Sequence, residues 1–334
     1  MIRNYTADSI KFLASFAVTL MHVSNYLPLT GRATFWNYYW YFPLLDLAVP
    51  LFFCMAGFFI ASKDLDYYPK YASRIFAINL AYTVFYLLFY WPLDIVDQLS
   101  MGNEGFTALV HYFTNLSLTD FLTGIVGSEH LWYLMSLFFA VVIFYFLRKS
   151  SLSLSLIFCL SILVYGLTFT PLLSFLSDNL FLYGGFAKGL FYFLIGFWTA
   201  KHAAVVPSAK YLVIMSLLLL IVGDTMTSSL VVRELLLASA TFSILVYVVN
   251  NPGKESLLSK AGNYSLAIYL LHILFIGGFN VSLKFLPILS ALPDFVRISG
   301  LTVVAMVGSV LLFPFTNRFF YNPAAKFITK LSIK

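Results

Sequence analysis

Apolar runs recur along the whole chain, separated by short polar breaks. A bilayer span needs roughly 20 mostly apolar residues. Runs close to that length can be read at 8–27, 43–61, 72–91, 131–148, 153–170, 186–201, 209–223, 229–249, 264–283 and 298–319. The predicted fold class is all-α: a polytopic membrane helix bundle of about ten transmembrane helices, forming a single domain over 1–334. The longest break, 92–130, contains "FTALVHYFTNLSLTDFLTG". It is too polar and too short to span but amphipathic enough to lie at the interface, and a connection of this length is usually a functional segment or a lid.

The first run is not an ordinary span. Asp8, Lys11 and His22 stand inside "TADSIKFLASFAVTLMHVSNYLP", residues 6–28. A helix turns about 100° per residue, so Lys11 and His22 lie within about 20° of each other around it. Ser15 and Thr19 fall on nearly the same line, and Asp8 leads it. Lipid does not tolerate such a stripe, which must face protein or a water-filled cavity. Asp8 is expected to pair with Lys11 at i+3.

Composition agrees with this pattern. Charged residues make up 10% of the chain and hydrophobic ones 61%, with a mean hydropathy of +0.89; soluble globular chains carry about 25% charged residues. No separate soluble domain of ordinary size fits. A net charge of +6 would suggest a nucleic-acid partner in a soluble protein, but here it reads as membrane orientation. Arg3, Lys63, Lys70, Arg74, Arg148, Lys149, Lys201, Lys210, Lys254, Lys260, Arg318, Lys326, Lys330 and Lys334 fall at the termini and even-numbered turns. The opposite turns hold "DIVDQLSMGNE", Asp178, Asp224 and Asp294. The positive-inside rule then puts both termini in the cytoplasm, with Lys284 and Arg297 as exceptions. Cys54 and Cys159 sit in apolar runs and read as reduced packing residues, with neither a disulfide framework nor a zinc site expected. The first run lacks a following small-residue cleavage site and reads as a span, not a signal peptide.

With that orientation, Lys11 lies near the cytoplasmic face and His22 about 16 Å further out. Lys70 and Arg74 open the third span from the inside. Asp46 opens the second from the outside, and Glu129 and His130 stand just outside the fourth. Each has a plainer reading: the cations as anchors that snorkel to headgroups, the acids as ordinary loop residues, His22 as a satisfied interior histidine. His111 and His202 read as surface loop residues. His272 shares a face with Ser265 and Tyr269 in "NYSLAIYLLH" and looks inward; Lys188 reads equally as anchor or site residue.

These residues resemble a known family. Lys11 and His22 form a Lys-x10-His pair, and "DLAVPLFFCMAGFFI" (46–60) is similar to its Asp-x-x-Val-Pro-Leu-Phe-Phe-x-x-Ser-Gly segment. "HLWYLMSLF" (130–138) and "AGNYSLAIYLLH" (261–272) resemble two later signatures, in the same order. The chain resembles the acyltransferase-3 family of integral membrane acyltransferases. The resemblance implies transfer of an acyl group, usually acetyl from acetyl-CoA, to hydroxyls of extracytoplasmic glycans or related envelope molecules, in a bacterial plasma membrane and without a metal. It implies a catalytic role for His22 and a donor-site role for Arg74. The family's Arg-x-x-Arg appears here as "RIFA", with Ala77 in place of the second arginine, and Ala56 stands where serine is common.

On that basis the phosphates of CoA are expected at Arg74, Lys11 and Lys70, since arginine donates paired bonds to phosphate. The pantetheine arm would run past Ser15 along the stripe to His22. A neutral imidazole is the natural base for an acceptor hydroxyl, oriented by Asp46 or Glu129. His130, Trp132, Tyr269, His272 and Lys188 are the expected acceptor-side residues. The rival reading is a transporter or flippase exporting an envelope polysaccharide, whose pathway would also want buried ionisable groups. A structural scaffold is the third.

Overall fold

The computed structural model describes residues 3–27, 42–114, 116–170, 185–202, 206 and 209–332. Asp178 and Lys334 lie outside the described residues. In chain order the helices are α1 Tyr5–Tyr26, α2 Phe42–Leu45, α3 Ala48–Ile60, α4 Tyr67–Ser100, α5 Gly105–Thr114, α6 Leu118–Thr123, α7 Trp132–Lys149 and α8 Leu154–Leu167. They continue as α9 Gly185–His202, α10 Ala209–Met226, α11 Leu230–Asn250, α12 Leu257–Ala261, α13 Ser265–Phe285, α14 Asp294–Thr316 and α15 Asn322–Ser332. No strand occurs among the described residues.

Seven helical stretches of the described residues are long and apolar enough to cross a membrane. Each of the ten expected spans corresponds to a helix, but α1, α8 and α9 are not among the seven. In α8 the cause is length, 14 residues; in α1 and α9 the charged and polar residues lower the hydropathy. Side chains such as Ile214, Leu218 and Leu219 on α10, Leu163 on α8 and Leu311 on α14 are exposed. Apolar faces of this extent suit lipid, not water.

The helices divide into two units, Met1–Lys63 with Tyr192–Pro314, and Asp64–Phe191 with Phe315–Lys334. In the first unit α1 packs on α3, α12 and α13. Its N-terminus is capped by Asn4, whose side chain accepts from the Ala7 amide and donates to the Val248 carbonyl of α11. Two glycines bring α3 and α9 together. A Cβ on Gly57 would lie 1.9 Å from the Phe193 carbonyl oxygen, and one on Gly196 would lie 1.9 Å from that of Cys54. Buried Cys54 donates its thiol to the Tyr192 carbonyl at 3.0 Å in the same contact. Such small-residue crossings are the usual glue of membrane helices, where no hydrophobic force separates helix from lipid. Cys159, by contrast, is exposed on α8.

In the second unit α4 is the axis, packed on α5, α7 and α15. The third span was expected to end at 91; instead the helix continues through Pro92 to Ser100. Proline removes one ladder bond, and a helix held by neighbours absorbs that. The expected interfacial connection is therefore partly the end of α4, with α5 and α6 following it. The last span also continues beyond its expected end, through a π-helical turn at Asn317–Tyr321 into α15. That turn follows Pro314, and a wide turn is one way a helix accommodates the lost bond. There the Tyr82 and Thr316 hydroxyls meet at 2.8 Å, and Phe85 packs edge-on against Phe320.

Candidate active site

The polar stripe of α1 faces protein. Ser15 and Thr19 are buried, and their hydroxyls donate to the carbonyls of Lys11 and Ser15 at 3.0 and 2.9 Å. Ser15 Oγ also lies 3.5 Å from the Ser265 carbonyl of α13. Hydroxyls bonded back onto their own helix need no water, so this part of the stripe is a packed helix contact. Ser15 thus lies within that contact.

Further along, His22 meets α13. Its ring is 5.1 Å from that of His272, and the Tyr26 ring stacks with it at 5.8 Å. His272 is fully buried, and its Nδ1 lies 2.9 Å from both the Ile268 and Tyr269 carbonyls. Two carbonyl acceptors require a donor, so Nδ1 carries the proton and Nε2 is the basic nitrogen. Val23, Leu27, Ile273, Ile276, Ile298 and Leu301 form a buried apolar cluster beside this imidazole pair. Asn280 donates to the Tyr26 carbonyl at 3.1 Å and pins the end of α1 to α13. The sequence placed Tyr269, Ser265 and His272 on one inward face, and this face is the one that α1 meets.

At the other end of α1, buried Asp8 pairs with Lys11 at 2.7 Å, as the i+3 spacing suggested, and also with Arg3 at 2.9 Å. Arg3 donates as well to Asn263 at 2.8 Å, and Lys11 lies 5.4 Å from the Phe59 ring centre. The close approach depends on Gly262, where a Cβ would stand 2.0 Å from the Asp8 carbonyl oxygen. Sequence reasoning had assigned no site role to Arg3 or Asn263. Asn263 is far away in sequence, and Arg3 looked like one of many inner cations.

Asp46, expected to orient His22, lies 3.5 Å from Arg233 of α11, which also pairs with Asp224. Nothing in the sequence linked these three. Arg297, an exception to the charge rule, is buried and paired with Asp294, so its charge is neutralised where it stands.

The remaining candidates belong to the second unit. Lys70 and Arg74 are exposed on α4, and Ala77, at the position of the missing arginine, is buried. Glu129 is exposed, whereas His130 is buried, with Nδ1 2.8 Å from the Ser128 hydroxyl and its ring edge-on to Tyr86. Trp132 and Lys188 are partly exposed, at the starts of α7 and α9. His111 is not a loop residue: it lies on α5 with Nδ1 3.1 Å from Asp94. His202, in the first unit, is exposed at the end of α9 and stacks on Trp198.

A helical protein with lipid-suited outer faces is a polytopic integral membrane protein, and this one sets two imidazoles side by side within its helices. A family model described as an acyltransferase domain matches residues 4–314, and the chain belongs to the acyltransferase-3 family. No curated protein and no solved structure matches it. The protein is a membrane acyltransferase, acting on an acyl donor and an acceptor.

Proposed function

We propose that this enzyme moves an acetyl group from cytoplasmic acetyl-CoA to a hydroxyl of an extracytoplasmic or lipid-linked glycan, in a bacterial plasma membrane, with His22 as the general base. The observation that carries the reading is the His22–His272 pair at 5.1 Å, with His22 half-buried on the polar face of α1 and His272 fully buried on α13. In the step itself, His22 takes the proton of the acceptor hydroxyl while that oxygen attacks the thioester carbonyl. The carbon–sulfur bond breaks, and the CoA thiolate leaves with the proton that the imidazolium returns. His272, its tautomer fixed by two carbonyls, replaces the expected carboxylate as the partner that orients His22. Arg3 joins Lys11 as a cation near the start of α1, and Lys11 lies about 16 Å of helix rise from His22. The family resemblance assigns Arg74 to the donor, with Lys70 as a further cation of α4.

The test is acetyl transfer by purified protein from labelled acetyl-CoA to envelope glycan. His22→Ala should lower it by at least about 100-fold, the lower end of what a positioned base contributes, with insertion and yield retained. Normal transfer by that variant removes His22 from the chemistry. The carrier alternative predicts glycan export without any turnover of acetyl-CoA.

A further inference from the structure

The 34 residues of α4 rise about 51 Å, well beyond the roughly 30 Å of a hydrocarbon core. The helix has turns to spare beyond a span, and its last turns carry a small structure of their own. Trp91 Nε1 donates to the Leu109 carbonyl at 2.9 Å, and Asp94 holds His111, so α5 is fastened to α4 twice. Ser117 and Asp120 cap α6 reciprocally. Gly127, at φ +83°, brings the next turn against α4, where a Cβ would lie 2.8 Å from the Thr83 carbonyl oxygen. No side chain fits there, and the left-handed φ also favours glycine.

These fastenings border an open cavity of about 410 Å³, within the size range of small-ligand sites. Its polar wall is Asp94, His111, Tyr112, Asp120, Ser128 and Glu129, and its apolar wall includes Ile125 and Val126. Burial, with the Asp94 charge adding to it, holds the Tyr112 phenol above its ordinary range, so it keeps its proton. Carboxylates accept bonds from adjacent hydroxyls, a phenol donates or accepts, and an apolar wall suits the C–H face of a sugar ring. An anionic ligand meets three carboxylates, with one imidazole already paired to Asp94, and like charges repel.

We propose that this cavity is a saccharide subsite that takes an uncharged, hydroxyl-rich sugar unit and rejects anionic sugars. The proposal rests on the reading above of a glycan acceptor, with this connection on the outer side, and deepens it by naming the acceptor's charge class.

The experiment uses full-length protein in nanodiscs and saturation-transfer NMR. The probes are neutral trimers of glucose, galactose and N-acetylglucosamine, with a galacturonic acid trimer as the anionic comparison. At least one neutral trimer should receive saturation and the acidic trimer should not, a comparison that needs no variant. Asp94→Asn and Tyr112→Phe should each weaken the bound trimer by about tenfold, the cost of a lost charged or buried hydrogen bond. Binding of no neutral trimer, equal binding of the acidic one, or indifference to both cavity variants overturns the proposal. Absence of acetyl-CoA turnover with sugar binding intact would instead strike the transfer reading alone.

Discussion

His272 is the residue whose surroundings say most about its task. Its Nδ1 proton is committed to two carbonyls, so only Nε2 remains for proton exchange. His272→Phe keeps a ring in the buried site and removes both nitrogens. Transfer should fall at least about tenfold while the melting temperature in detergent stays within a few degrees; an unchanged rate leaves His272 as packing. Arg74→Ala should raise KM for acetyl-CoA about tenfold through a lost charged bond, and an unchanged KM makes Arg74 a topology anchor. The pairing of Asp8 with Lys11 was legible because i+3 neighbours on a helix meet whatever surrounds them. The pairing of Asp46 with Arg233 was not, because 187 residues separate them. The cavity pair Asp94 and His111 was missed for a related reason: Pro92 and the acids after it read as loop, which hid their helical setting.

Among the elements, α1 was the most legible. Its stripe was visible from the turn angle alone, but two different uses of it were not distinguishable from sequence. Its middle, at Ser15 and Thr19, is self-bonded packing; its two ends hold the ion cluster and the imidazole pair. The α3–α9 crossing depends on backbone approach at Gly57 and Gly196. Gly57→Ala forces the helices apart or the Phe193 backbone to move. It should destabilise the protein by about 1–3 kcal/mol, the usual cost of overpacking, seen as a lower melting temperature in detergent. A variant that melts like the parent would show that the crossing can open without loss.

For the whole molecule, charge distribution makes the strongest claim. Of the two exceptions to the charge rule, Arg297 pairs with Asp294, and Arg233 is likewise paired, with Asp224 and Asp46. Neutralised in place, Arg297 weighs less against the expectation that both termini are cytoplasmic. In a background of Cys54→Ala and Cys159→Ala, Thr119→Cys should react with an impermeant maleimide on intact cells. Ser150→Cys should react only after permeabilisation. The reverse pattern would invert the topology and move the saccharide cavity to the cytoplasm.

The sequence by itself determined the helical class, the position of nearly every helix, the inward faces of α1 and α13 and the family. These follow from short-range quantities: apolar run length, turn angle and motif order. Only the tertiary structure decided that His22 meets His272, that Asp46 is engaged by Arg233, and that the end of α4 carries a polar cavity. Each of those depends on which faces pack together, and packing is set by backbone approaches at glycines and by long-range pairs, which leave no periodic trace along the chain.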